Sequence, residues 1–174
     1  SPPPQPSPPP QPSPPPQPSP PPPPPLACYS APQARPGPTN KIFSSCVPAE
    51  YTEMNGKMYF SAYDRETETE LWVTDGTESG TSLVKDIYPG AVEGSYPGEM
   101  AVMGNKLYFR GTDATDGEEL FVSDGTANGT SMLKNIDPRK SCCHISGTIA
   151  LGTKIYFQAS DNIHGIELWV SDGT

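Results

Sequence analysis

Along the chain beyond residue 50, apolar and polar positions alternate with a period of two in short runs that break at turn residues, the pattern of half-buried β-strands. Residues 99–103 and 106–111 flank Gly104-Asn105, a two-residue hairpin signal that requires positive φ, and Asn55-Gly56 stands at the corresponding earlier place. Residues 119–123 and 131–136 follow, separated by Asp124-Gly125-Thr126 and Gly129, which predicts a second hairpin with a longer loop. The pattern calls for four antiparallel strands in this stretch and for no helix.

The whole unit is repeated. KMYFSAYD at 57–64 returns as KLYFRGTD at 106–113 and KIYFQASD at 154–161, at intervals of 49 (57 to 106) and 48 (106 to 154) residues. ELWVTDGTESGT at 70–81 returns as ELFVSDGTANGT at 119–130 and as ELWVSDGT at 167–174. TSLVKDI at 81–87 matches TSMLKNI at 130–136 and has no third counterpart within the chain. Four antiparallel strands in about 48 residues is the size of a propeller blade. The expected fold is therefore all-β: antiparallel four-stranded blade-like repeats, β-propeller-like and incomplete, at about 49–97, 98–145 and 146–174.

On these phrases the body resembles the ELWxxDGT repeat family, whose units carry YFxAxD, GxELWxSDGT and GTxLVKDI. The resemblance covers about residues 51–174, with Phe121 in place of the motif tryptophan, Thr69 and Glu118 varying the residue before Glu-Leu, and Asn135 in place of an aspartate. It implies a propeller-like architecture and an extracellular setting, and it carries over no catalytic residue.

Two full repeats and a partial one give about eleven strands, whereas closed propellers usually have at least four blades. Repeat proteins bury each unit against its neighbour, so the body is expected to be completed by further chain or by other subunits. The strand carrying Glu167, Leu168, Trp169, Val170 and Ser171 lacks its outer neighbour and is the expected assembly edge, open to a strand donated by another chain. Head-to-tail addition of that kind builds filaments.

Residues 1–25 differ in kind. They read SPPPQP three times and then SPPPPPP, and 18 of the 25 are proline, which leaves polyproline II as the regular conformation open to them. At about 3.1 Å per residue the segment is a rod of roughly 75 Å. Its six-residue period is two whole turns, so each chemical type returns to one edge. The segment resembles the hydroxyproline-rich glycoproteins of green algal and plant walls and flagellar coats. That resemblance implies hydroxylation and O-glycosylation at Pro2, Pro3, Pro4, Pro8, Pro9, Pro10, Pro14, Pro15, Pro16, Pro20, Pro21, Pro22, Pro23, Pro24, Pro25, Ser1, Ser7, Ser13 and Ser19.

All charge lies after the rod, with 11 Lys and Arg against 20 Asp and Glu. An acidic body repels nucleic acid and anionic membranes, so neither is an expected partner. No apolar run approaches the ~20 residues of a membrane span, so no membrane insertion is expected. Residues 26–48 read as a linker holding Cys28 and Cys46, and the body holds Cys142 and Cys143. An even cysteine count suits an oxidising compartment. Of three connectivities, the two that tie the linker to the Cys142-Cys143 loop are favoured over the strained adjacent pair. A metal site from Cys142, Cys143 and His144 lacks a properly spaced partner pair. Asn128-Gly129-Thr130 is an N-glycosylation sequon in a predicted loop.

No catalytic constellation stands out. Asp64, Asp113 and Asp161, Glu70, Glu119 and Glu167, and Asp75, Asp124 and Asp172 recur once per repeat, which points to turn or blade-locking work. Asp113, Asp116 and Glu119 only loosely resemble a calcium loop, and other repeats do not keep the spacing. Trp72, Phe121 and Trp169, with Tyr59, Tyr108 and Tyr156, are expected between blades. Together these readings predict a non-enzymatic extracellular structural glycoprotein of a wall, coat or flagellar appendage. It would assemble with copies of itself or related fibre subunits, without cofactors other than covalent glycans. The alternative is a secreted carbohydrate- or protein-binding module with the proline segment as spacer.

Overall fold

The computed structural model describes residues 46–90, 93–138 and 143–174, together with the backbone but not the side chains of Cys46 and Val47. The proline segment, Cys28 and Cys142 lie outside the described residues.

Among the described residues the chain is all-β, as the period-two pattern requires. Eleven strands are present: β1 (Cys46–Met54), β2 (Lys57–Asp64), β3 (Glu68–Thr74), β4 (Ser82–Lys85), β5 (Gly98–Met103), β6 (Lys106–Asp113), β7 (Gly117–Ser123), β8 (Ser131–Lys134), β9 (Ser146–Leu151), β10 (Lys154–Ser160) and β11 (Ile166–Ser171). They form three antiparallel meanders, β1-β2-β3-β4, β5-β6-β7-β8 and the three-stranded β9-β10-β11. The first two share one register: Trp72 faces Leu83 and Val73 faces Ser82, as Phe121 faces Met132 and Val122 faces Ser131.

Several boundaries differ from the sequence reading: β5 starts at Gly98, β6 runs to Asp113 and β7 starts at Gly117, where 99, 111 and 119 were expected. β1 begins at Cys46 rather than 49 and pairs with β2 across register shifts on either side of Ala49, where Pro48, which has no N–H to donate, is accommodated. β8 ends at Lys134 rather than 136, because the Ile136 N–H turns away to a buried carboxylate.

Alternation along each strand gives every sheet two apolar faces. The forward face of the first sheet carries Met54, Tyr59, Leu71, Val73 and Val84, which pack with Leu107, Phe109 and Phe121 from the rear face of the second. The forward face of the second carries Ala101, Tyr108, Leu120 and Val122, which pack with Ile155 and Phe157 of the third. The core thus lies between successive sheets, and their first strands, β1 to β5 and β5 to β9, adjoin.

Candidate functional site: the repeat junctions and the open third sheet

Every recurrent acidic residue except Glu167 has a defined task at or beside a junction. Asp64 Oδ1 accepts the N–H groups of Glu66 and Thr67, Asp113 those of Thr115 and Asp116, and Asp161 those of Ile163 and His164, so this series closes the hairpin between the two long strands. His164 Nδ1 donates to Asp161 Oδ2 at 2.8 Å; hydrogen bonds from His164 hold the Asp161 carboxyl down at about 2, and Asp161 in turn raises the imidazole.

The Asp-Gly-Thr turn is built identically three times. Asp75, Asp124 and Asp172 each accept the backbone N–H and the hydroxyl of the threonine two residues on, and these bonds lower the three carboxyls. Thr74, Ser123 and Ser171 accept the glycine N–H. The glycine answers to the preceding sheet. At Gly125 φ is 92°, and an added Cβ would lie 2.1 Å from the Tyr59 hydroxyl; at Gly173 it would lie 2.2 Å from that of Tyr108. Tyrosine of one sheet is thus seated on the turn of the next, and burial, then the neighbouring Asp124 or Asp172, raises both phenols. Gly76, with no sheet before it among the described residues, meets nothing within 4 Å.

The glutamate of Glu-Leu-Trp/Phe is a latch. Glu70 is fully buried and accepts the N–H groups of Ile87, Tyr88 and Ser95 and the Ser95 hydroxyl. Glu119, equally buried, accepts the N–H groups of Ile136 and Asp137 and the Cys143 thiol. Each carboxylate therefore clasps the linker that leads to the next sheet. Burial raises both carboxyls, against the lowering effect of these bonds.

Cys143 departs from the expected disulfide. Its thiol is free and buried, its Sγ lies 3.2 Å from Glu119, and burial and then that carboxylate push it far up. It takes the place of Ser95 in the preceding junction: Ser160 N–H donates to the Cys143 carbonyl as Thr112 N–H does to that of Ser95, and His144 shares the positive φ of Tyr96. A local donor for the latch explains the residue without a bridge. Cys143→Ser is expected to leave the melting temperature unchanged or slightly raised, read by calorimetry under oxidising conditions; a fall of several degrees would restore the disulfide reading.

The other expected sites fall as follows. Asn128 is exposed in the β7–β8 loop, while Thr130 of its sequon is buried, its hydroxyl bonded to Ser123 and the Thr126 carbonyl. Asp113, Asp116 and Glu119 have separate engagements, Asp116 accepting from Asn135 Nδ2, and the described residues contain no cluster suited to a metal ion. Phe121, Tyr59 and Tyr108 are buried between sheets, whereas Trp72, Trp169 and Tyr156 are half-buried.

Sequence reasoning named the β11 edge but missed the face beside it. Leu71 and Leu120 are 0% exposed; their counterpart Leu168 is 74% exposed, and Val170, counterpart of buried Val73 and Val122, is 53% exposed. Ile149, Leu151 and Ile166 extend this bare forward face, and Glu167, counterpart of the two latches, is exposed. No family model and no curated protein matches the chain.

Proposed function

We propose that this protein is an extracellular structural glycoprotein subunit, a β-propeller-like repeat body on a sugar-bearing polyproline II stalk that assembles into a surface fibre or coat. The observation that carries the reading is the third sheet, whose forward face is bare where the two equivalent faces are buried. An apolar surface of that extent is an association site in water. Successive four-stranded meanders with adjoining first strands support the propeller-like arrangement. The recurrent carboxylates and hydroxyls are engaged in turns and latches, which supports assembly over catalysis. The stalk and Asn128 support the glycoprotein setting, with copies of itself or related fibre subunits as partners.

Sedimentation velocity over a wide concentration range tests this. Wild-type protein is expected to self-associate, and Leu168→Lys/Val170→Lys to weaken association at least tenfold without lowering the melting temperature, because both side chains are exposed in the single subunit. A monodisperse monomer at high concentration with unmodified prolines would refute the proposal.

A further inference from the structure

The Asn128-Gly129-Thr130 sequon lies in the turn that joins β7 to β8, and its two ends differ in surroundings. Asn128 is exposed, whereas Thr130 is 1% exposed. The Thr130 hydroxyl donates its one proton to the Thr126 carbonyl at 2.7 Å and accepts from Ser123 Oγ at 2.7 Å. Its carbonyl accepts from Lys85 Nζ of the first sheet at 2.7 Å, and Met132, just beyond it, packs on the core between the first two sheets. Gly129 is held as well: its N–H donates to Thr126 Oγ1 at 3.0 Å, and an added Cβ there would run into the Asp124 carboxylate. The preceding repeat shows what the threonine is for. Thr81 makes the same two hydroxyl contacts, to Thr74 at 2.7 Å and to the Thr77 carbonyl at 2.6 Å, and Ser79 stands where the second repeat has Asn128. The Gly-Thr pair thus belongs to the turn, and Asn128 alone converts it into a sequon.

We infer that Asn128 accepts an N-glycan only before β8 docks, and that closure of the junction between the first two sheets shuts the site. This rests on the glycoprotein reading above. A transferase that accepts Asn-X-Thr reads the threonine hydroxyl together with the asparagine amide. That hydroxyl is the group the finished turn takes out of reach. In the transfer, Asn128 Nδ2 displaces the diphosphate of a lipid-linked oligosaccharide. The bond from Nδ2 to the sugar C1 forms, the bond from C1 to the diphosphate oxygen breaks with its electron pair leaving on the diphosphate, and the amide nitrogen loses one proton. The hydroxyl has no part in the product, so Thr130 is then released to the turn. Because Asn128 is exposed, the glycan projects from the completed β7–β8 loop without displacing the core. One threonine therefore serves first as a recognition group and then as a fold lock.

The folded, unglycosylated full chain and a peptide of residues 123–134 (SDGTANGTSMLK), offered to a purified oligosaccharyltransferase with a lipid-linked oligosaccharide, test the inference, with modification at Asn128 read by mass spectrometry. The peptide is expected to be modified faster than the folded chain by about tenfold or more, since the chain must first open locally. Lys85→Ala leaves the sequon untouched and removes the bond to the Thr130 carbonyl. It should raise the rate of the folded chain, with the melting temperature recorded alongside to show that the variant is folded. Equal rates for peptide and folded chain overturn the inference and leave the glycoprotein reading standing. A folded Lys85→Ala that gains nothing overturns the part played by the junction. A peptide left unmodified beside a control sequon that is modified removes Asn128 as a glycan site, and with it that support for the glycoprotein reading.

Discussion

Phe109→Ala is expected to destabilise the fold by about 3–5 kcal/mol, the usual cost of emptying a fully buried aromatic site. Phe109 has no exposed surface, stacks on Phe121 with ring centroids 5.8 Å apart, and sits where Leu71 and Val73 of the first sheet meet the second. Its neighbours belong to two sheets held by their own hydrogen-bond ladders, which limits how far the void can collapse. The loss falls at the junction rather than within either sheet. Denaturant unfolding should show a lower midpoint, and a change under about 1 kcal/mol would mean that the sheets do not stack through this residue.

Glu119→Ala is the second large effect, expected at about 3 kcal/mol because the N–H groups of Ile136 and Asp137 lose their acceptor inside the core. The pH dependence carries the sign of its environment. Burial, the largest influence, raises Glu119 above its ordinary value of 4.5, so the folded state holds the proton more tightly than the unfolded chain. Its stability contribution is complete below that value and is lost as pH rises through the raised one. Glu70 behaves alike, while the lowered Asp75, Asp124, Asp161 and Asp172 act oppositely and only as pH falls through their own range, below 3.8. The melting temperature should therefore rise as pH falls toward 4.5 through the raised Glu119 range, and less so in Glu119→Gln. An equal rise in the variant would remove Glu119 as the source.

The strands were legible because period-two alternation and turn residues are local. Asn55 and Gly56 both have positive φ, and Gly104 does, as their hairpins demand. The turn role of Asp64, Asp75 and their counterparts was legible for the same reason, each bonding within three residues. The junctions were not, because their partners are remote in sequence. Nothing near Gly125 announces Tyr59, and nothing near Glu119 announces that Cys143 would donate to it. Read by parity and compartment, Cys143 became a bridge; read by its place in the repeat, it is the thiol version of Ser95. The bare face also escaped notice, since Leu168 and Val170 look the same in sequence as Leu71 and Val73.

The latches all point one way along the chain. Glu70 holds the linker into the second sheet and Glu119 the linker into the third, while Glu167 holds none of the described residues in that manner. Cooperativity then passes only between neighbours, as in a one-dimensional chain of coupled units. The middle sheet is clasped on both faces and should exchange its amide hydrogens slowest, while the third should open first and close last. A partner that covers the third sheet would thus do more than add mass: it would turn a sheet clasped on one face into one clasped on both.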